Sequence, residues 1–313
     1  MKLIKAFLAL VRWPNLLFIA ITQMLFVYCI VHPIIYQAGA VPNVRGQYFV
    51  LLIIASVLIA AGGYIINDYF DLNIDQVNKP DKLVVAKLIS RRWVIFWHLF
   101  LSIVGVVMGF YIDWFTRVRF LGIANLGCVG LLFLYSISLK KKLLSGNVII
   151  SLMTAWVIIV ISWCETSNLL QPSLRGLFTE KITRISFLYA GFAFIISLIR
   201  EVIKDMEDIE GDRRFGCNTM PITLGINATK VFVAVWLVVL ASALSAVQFY
   251  SFVLKWWWSA AYCIMFIIVP LIYVFKLLLK ASASRDYHRL SSLVKGIMFT
   301  GILSMIFFRL YGH

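Results

Sequence analysis

Long apolar runs alternate with short polar connections along the whole chain. A membrane-crossing helix needs about 20 predominantly apolar residues. Nine segments qualify, at roughly 14–32, 47–66, 93–112, 119–139, 146–164, 183–200, 231–250, 256–275 and 291–310. The sixth and ninth have short charge-free cores, Ile185–Ile199 and Gly296–Phe308, which reach full length if flanking Lys or Arg side chains snorkel. No connection between spans is long enough to form a domain of its own. The pattern therefore predicts an all-α, multi-pass membrane protein with a single domain over residues 1–313.

Composition sharpens this picture. Of 313 residues, 62% are hydrophobic and 14% are charged, against about a quarter charged in soluble domains. One soluble core cannot hide that apolar excess. The formal net charge of +15 invites a nucleic-acid reading. Its cations lie between apolar spans, however, with no separate basic domain, so nucleic acid is excluded as a partner. Of the 29 Lys and Arg, 21 fall at the N-terminus and after the second, fourth, sixth and eighth spans. Cytoplasmic loops carry such an excess, so every even-numbered span is expected to exit into the cytoplasm. The opening "MKLIKAFLALVRWPN" is cut by Arg12 and has no small-residue cleavage site, so it reads as an uncleaved interfacial lead-in.

Acidic residues gather at one kind of place. "YIINDYFDLNIDQVNKPDK" (Tyr64–Lys82) puts Asp68, Asp71 and Asp75 at the end of the second span. "REVIKDMEDIEGDRRFG" (Arg200–Gly216) puts Asp205, Asp208 and Asp212 after the sixth. Both triplets are spaced three then four, and each matching pair is offset by 137 residues. Four spans lie between them, so both leave the membrane on the same face. This predicts a parallel internal repeat: a first half at about 14–140, a second at about 146–280, and a last helix at about 291–310.

Positions i, i+3 and i+7 share one helix face. Each triplet would thus form an acidic stripe if its span continued helically past the membrane surface. Like charges at that spacing repel, so something must offset them. Oxygen-only donors suit a hard divalent cation, foremost Mg2+. Asn67 adds a neutral oxygen to Asp68, Asp71 and Asp75, while Asp205, Asp208 and Asp212 form the opposing set. The five cysteines show no CxxC and the four histidines are scattered, which argues against zinc. Four of the cysteines read as small buried hydrophobes. A lone DxxD is commonly a solvated loop face or a helix cap; two matched triplets at equivalent span ends argue for a site. A magnesium ion held by carboxylates completes its shell with water and phosphate oxygens, so the anion between two such rims is expected to be a diphosphate. Candidate cations for it are Lys79, Lys82, Arg91, Arg92, Lys140, Lys141, Lys142, Arg200, Lys204, Arg213 and Arg214. Positive-inside bias accounts for many of these, whereas Arg200 and Lys204 lie within the motif, one turn apart.

At these residues the chain resembles the UbiA superfamily of membrane prenyltransferases. "NDYFDLNID" fits the NDxxDxxxD motif and "DIEGD" the DxxxD motif. Tyr135 and Lys140 resemble the intermediate tyrosine–lysine motif, and "NTMPITLG" resembles the TLPxxxG continuation with Met220 in place of Leu. The resemblance implies nine transmembrane helices around a central cavity, Mg2+ dependence, and transfer of an isoprenyl group from a prenyl diphosphate to a lipophilic acceptor. It implies catalytic roles for Asp68, Asp71, Asp75, Asp208 and Asp212. It implies substrate binding by Asn15, Asn67, Tyr135, Lys140, Arg200, Lys204, Asp205 and Arg213.

An allylic cation needs a dry pocket with aromatic walls, for which Tyr64, Tyr69, Phe70, Tyr135, Tyr189 and Phe194 are placed. "REVIKDMEDIEGD" resembles the digeranylgeranylglyceryl phosphate synthase-like branch, which favours a geranylgeranylglycerol-phosphate-type acceptor. The alternative is an aromatic quinone precursor of the 4-hydroxybenzoate or dihydroxynaphthoate type. An acceptor phosphate would need extra cations near Asn15 or Lys140. A secondary transporter would place its ionisable groups near the bilayer midplane, whereas these spans are nearly clean and the acids crowd one rim. A membrane scaffold without chemistry would tolerate loss of Asp68 and Asp208.

Overall fold

A computed structural model describes residues 2–78, 84–85, 87–166 and 178–311. A short amphipathic helix, α1 (Lys2–Leu10), leads into α2 (Trp13–Gln37), α3 (Gln47–Phe70), α4 (Arg91–Phe115), α5 (Leu121–Ile137), α6 (Ser145–Thr166), α7 (Phe178–Glu207), α8 (Ile226–Val253), α9 (Trp257–Lys280) and α10 (Ser284–Tyr311). Among the described residues, eight of these are long and apolar enough to cross a membrane, and α5 is a shorter apolar helix of 17 residues. Their outer faces carry exposed Ile103, Trp114, Phe249 and Trp258. A soluble protein would not leave so continuous an apolar surface uncovered; lipid covers it. The chain is an integral, multi-pass membrane protein.

Local departures from α-geometry have chemical causes. Proline lacks an N–H and its ring collides with the carbonyl four residues back. Ahead of Pro33 and Pro270 the helix widens into π-turns, Val27–Val31 and Ile264–Ile268. At its start, α5 is held by Asp113, whose carboxylate accepts the Leu121 and Gly122 amides at 3.0 and 2.8 Å. It ends early, in a 3-10 turn at Leu139–Lys141. That turn lies so close to α6 that a Cβ on Gly146 would stand 2.6 Å from the Lys140 Cα.

The helices close into a ring. Helix α2 packs on α3, α3 on α5, α5 on α6, α6 on α7, α7 on α10, and α10 returns to α2. Helix α4 lies behind α3 and α5, while α8 lies behind α7 and α9 behind α8 and α10. Helix α5 packs directly on α3, whereas it is α10 that takes the inner contact with α7. One apolar core joins α7 through α10 around Val202, Leu237, Val274 and Val294. A second, around Phe26, Leu52, Ile112 and Ile161, joins α2, α3, α4 and α6.

The acidic stripes are corrected in one respect. Neither span continues as an unbroken helix. Helix α3 stops at Asp71 (φ −86°, ψ −3°) and resumes as Leu72–Asn78; α7 stops at Asp208 (φ −96°, ψ 9°) and resumes as Ile209–Arg214. A ψ near zero tips the next turn away from the helix axis. Both breaks fall on the middle aspartate of their triplet. The backbone bonding around them also matches. Asp71 N–H donates to Asn67 O and Asp208 N–H to Lys204 O, each at 2.9 Å, while Asp75 and Asp212 donate back to Asp71 O and Asp208 O at 2.8 and 3.2 Å. Asp75 and Asp212 therefore open the short helices beyond the bend instead of extending the stripe.

Candidate active site

The two bends meet. Asn78, at the end of the first short helix, donates from Nδ2 to Asp208 O at 3.0 Å and accepts the Gly211 amide on Oδ1 at 2.8 Å. A Cβ on Gly211 would lie 2.4 Å from that oxygen, so only glycine admits the contact. Nearby, the Asn218 amide donates to Lys141 O at 2.7 Å. The buried Cys217 registers the same meeting. Burial pushes its thiol up to about 11, and Asp212 from one rim and Asp71 from the other both add to the effect.

Beneath the rims lies a cavity of about 250 Å3, walled by α2, α3, α5, α6, α7 and α10. Its polar lining includes Arg12, Asn15, Tyr64, Asn67, Tyr135, Arg200, Glu201, Lys204 and Lys295. The first rim is closed by internal cations. Arg12 donates from Nη2 to Asp68 at 2.7 Å, and Lys140 Nζ lies 2.6 Å from Asp71 and 3.2 Å from Asn67 Oδ1. Asn67 donates to the other Asp71 oxygen at 2.7 Å. The 3-10 turn after the short α5 is what brings Lys140 inward. On the second rim Asp205 accepts from Asn147 Nδ2 at 2.8 Å, and Glu201 binds both Arg200 and Lys204 at 3.0 Å. Tyr135 sits within electrostatic reach of Asp71 and Asp205 together.

Most of the residues expected from sequence converge here. Asn15, Asn67, Tyr135, Arg200 and Lys204 line the cavity. Asp68, Asp71, Asp75, Asp205, Asp208 and Asp212 are half-buried at the two rims. Arg213 is the exception: it is exposed and outside the lining of this cavity, on the short helix that also carries the Arg214–Glu210 surface pair. Arg91 and Arg92 are exposed as well, with Arg91 stacked over Tyr69. Lys79 and Lys82 lie outside the described residues. Of the aromatics, Tyr64 and Tyr135 face the cavity. Tyr189 lines a second, apolar chamber, Phe194 packs in the core, and Phe70 is exposed.

Five contributors escaped the sequence reading: Arg12, Asn78, Asn147, Glu201 and Lys295. Arg12 had a signal of sorts, a lone cation interrupting an apolar run. Its backbone lies in the left-handed region (φ 52°), a conformation that costs a non-glycine residue energy and that tends to cluster at functional sites. The turn it makes between α1 and α2 aims the guanidinium across the Tyr64 ring, 5.2 Å from its centre, toward Asp68.

A ring of membrane helices with paired carboxylate rims over a cation-lined cavity defines a machine for phosphorylated, lipid-soluble substrates. Residues 10–302 match the UbiA prenyltransferase family, and the chain belongs to that family; it is a membrane prenyltransferase. It is similar to the digeranylgeranylglyceryl phosphate synthase of Methanosphaera stadtmanae, 29% identical over 80% of this chain and 84% of that protein. It is also similar to the synthase of the same name from Methanoregula boonei, 30% identical over 83% of this chain and 88% of that protein. Its fold matches a solved digeranylgeranylglyceryl phosphate synthase structure with a TM-score of 0.62 at 22% identity, covering 98% and 99% of the two chains. It also matches a UbiA homolog from Archaeoglobus fulgidus bound to DMAPP and Mg2+, with a TM-score of 0.54 at 13% identity over 96% and 98%.

Proposed function

We propose that the protein transfers a geranylgeranyl-type group from its diphosphate to the hydroxyl of a geranylgeranylglycerol-phosphate-type lipid, in a Mg2+-dependent reaction opening on the cytoplasmic face. The observation that carries this reading is the junction at Asn78, which holds the two carboxylate rims together above one cavity. The relatives named for glyceryl phosphate favour that acceptor over an aromatic one, and the 21-of-29 bias of Lys and Arg toward the rim side supports the cytoplasmic opening.

The donor set fits the ion. Asn67, Asp68, Asp71 and Asp75 on one rim and Asp205, Asp208 and Asp212 on the other offer oxygen only, as magnesium prefers. Among the described residues no three acidic, histidine or cysteine side chains converge as a metal cluster; Asp68 and Asp71 each hold a side-chain cation instead. Bound Mg2+ supplies charge neutralisation to the leaving diphosphate. Lys140 is placed to bind the same anion, with Lys204 on the opposite rim. Tyr64 and Tyr135 present ring faces and exclude water where positive charge develops on the prenyl carbon. The carbon–oxygen bond to diphosphate breaks with its electron pair on oxygen. A new carbon–oxygen bond forms from the acceptor hydroxyl, whose proton is released. The repeated bend, with the same bonding at a 137-residue offset, supports reading the chain as one domain of two related four-helix halves and a last helix.

The test is direct. Purified protein in lipid is given geranylgeranyl diphosphate, geranylgeranylglyceryl phosphate and Mg2+, and product is measured by mass spectrometry. Product that vanishes in Asp68→Asn and Asp208→Asn supports the assignment. Full activity in both variants would falsify it.

A further inference from the structure

The cavity holds more positive charge than a diphosphate at the rims accounts for. Four cationic residues line it, Arg12, Arg200, Lys204 and Lys295, against one acidic residue, Glu201. Arg12 is matched by Asp68. Glu201 is shared between Arg200 and Lys204. Lys295 donates to the neutral oxygen of Asn15 at 2.7 Å and lies 5.3 Å from the centre of the Phe18 ring. Two positive charges are left over. The Arg200 Nε is buried with no acceptor. Lys295 feels the charges of Arg200 and Arg12, so among the described lining residues like charges are gathered in excess of the carboxylates that pair with them.

Depth separates this group from the rim. Arg200 stands eight residues before Asp208, about 12 Å of helical rise. Asn15 lies a turn deeper along α2 than Arg12. Beyond Lys295 the cavity adjoins an apolar chamber of about 210 Å3 that runs down α10 past Met298, Ile302, Met305 and Phe308. Phe18, Ile19, Thr154, Val157 and Met298 border both spaces.

Resting on the reading given under Proposed function, we propose that Lys295, Arg200 and Asn15 form a second anion site, which seats the phosphate monoester of the lipid acceptor while its chain lies in the adjoining apolar chamber. A phosphate monoester carries about −1.5 to −2 at neutral pH, which matches the surplus of two positive charges. Its oxygens accept from the spare Arg200 Nε and from Lys295, which turns from Asn15. An aromatic acceptor of the hydroxybenzoate type brings a single carboxylate charge and leaves about half of that surplus unmatched.

The test measures binding to the full chain in lipid nanodiscs with three probes: geranylgeranylglyceryl phosphate, the corresponding alcohol geranylgeranylglycerol, and glycerol phosphate. The phosphate lipid is expected to bind at least about tenfold more tightly than the alcohol, the effect of one charge-assisted hydrogen bond or more. It is expected to bind far more tightly than glycerol phosphate, which has no chain for the chamber. Lys295→Met and Arg200→Gln are each expected to erase most of the preference for phosphate, and Lys295→Arg to restore it, while in Lys295→Met the affinity for geranylgeranyl diphosphate with Mg2+ moves by less than about threefold. A preference that survives in both variants overturns the proposal, as does a parallel fall in diphosphate affinity in Lys295→Met or equal binding of glycerol phosphate and the lipid. Wild-type protein that prefers the phosphate lipid yet makes no product from it upholds this site and refutes the assigned acceptor.

Discussion

Replacing Asn78 by Ala tests whether the two rims must be held together to work. Asn78 makes two hydrogen bonds across the junction, to Asp208 O and from the Gly211 amide. Each contributes about 0.5–1.5 kcal/mol net. Losing both therefore weakens the closed arrangement by about 2 kcal/mol, roughly a thirtyfold change in equilibrium. If the ion bridges the rims, that loss appears in metal affinity. The Mg2+ concentration for half-maximal activity should rise by about ten- to thirtyfold, and turnover should recover once the ion is saturating. Gly211→Ala should do the same from the other side, because its Cβ would meet Asn78 Oδ1 at 2.4 Å. The assay is initial rate against Mg2+ at fixed, saturating substrates. A wild-type half-saturation point in both variants refutes the idea that this junction sets the distance between the rims.

Three further outcomes follow from the same geometry. Lys140→Met removes the cation that binds Asp71 and Asn67 and is expected to raise KM for the prenyl diphosphate by about tenfold or more, measured by steady-state kinetics. Arg213→Ala should change kcat/KM by less than about twofold, since Arg213 is exposed outside the cavity and surface contacts are worth little. Glu201→Gln leaves Arg200 and Lys204 without their shared counter-charge. The loss of a partner from a buried pair costs about 3–5 kcal/mol, less where water reaches the cations as it does here, so a lowered thermal midpoint in detergent is the expected readout.

The spans and the acid motifs were legible because both are written in short-range patterns. Apolar runs of bilayer length announce helices, and the 137-residue offset announces two related rims. What escaped depends on which helices touch. Arg12 belongs to the site because α1 turns into α2 through a left-handed residue, and nothing local in "VRWPN" foretells where that guanidinium lands. Lys295 was counted with the flanking cations of the last span, yet the ring closes by placing α10 between α7 and α2, which brings it to Asn15. Glu201 stood in plain view beside Arg200, but only its burial between two cations gives it weight. The bends at Asp71 and Asp208 were missed for a different reason. A spacing of three then four suits a continuous helix, and a pattern of residue types does not report ψ.

Those bends also explain how six carboxylates coexist at one opening. On a straight helix, Asp68, Asp71 and Asp75 would stack along one face and repel. Tipping the chain at the middle residue moves the third carboxylate onto a short helix that packs on its counterpart across the opening. The first two then fall within reach of Arg12 and Lys140. Acidic charge is thus spread around the rim instead of along a rod. The two side-chain cations brace Asp68 and Asp71 on the first rim, and on the second Asn147 donates to Asp205. Asp68 and Asp205, the matching first carboxylates of the two triplets, are consequently not held alike. A divalent ion held by Asp68 would compete with the Arg12 cation, whereas one held by Asp205 would compete with the neutral amide of Asn147. Removing Arg12 therefore strips a charged competitor from Asp68, while removing Asn147 strips only a neutral one from Asp205. A larger rise in metal affinity for Arg12→Met than for Asn147→Ala, read by Mn2+ binding without substrate, is what this asymmetry demands, and equal changes in the two variants would refute it.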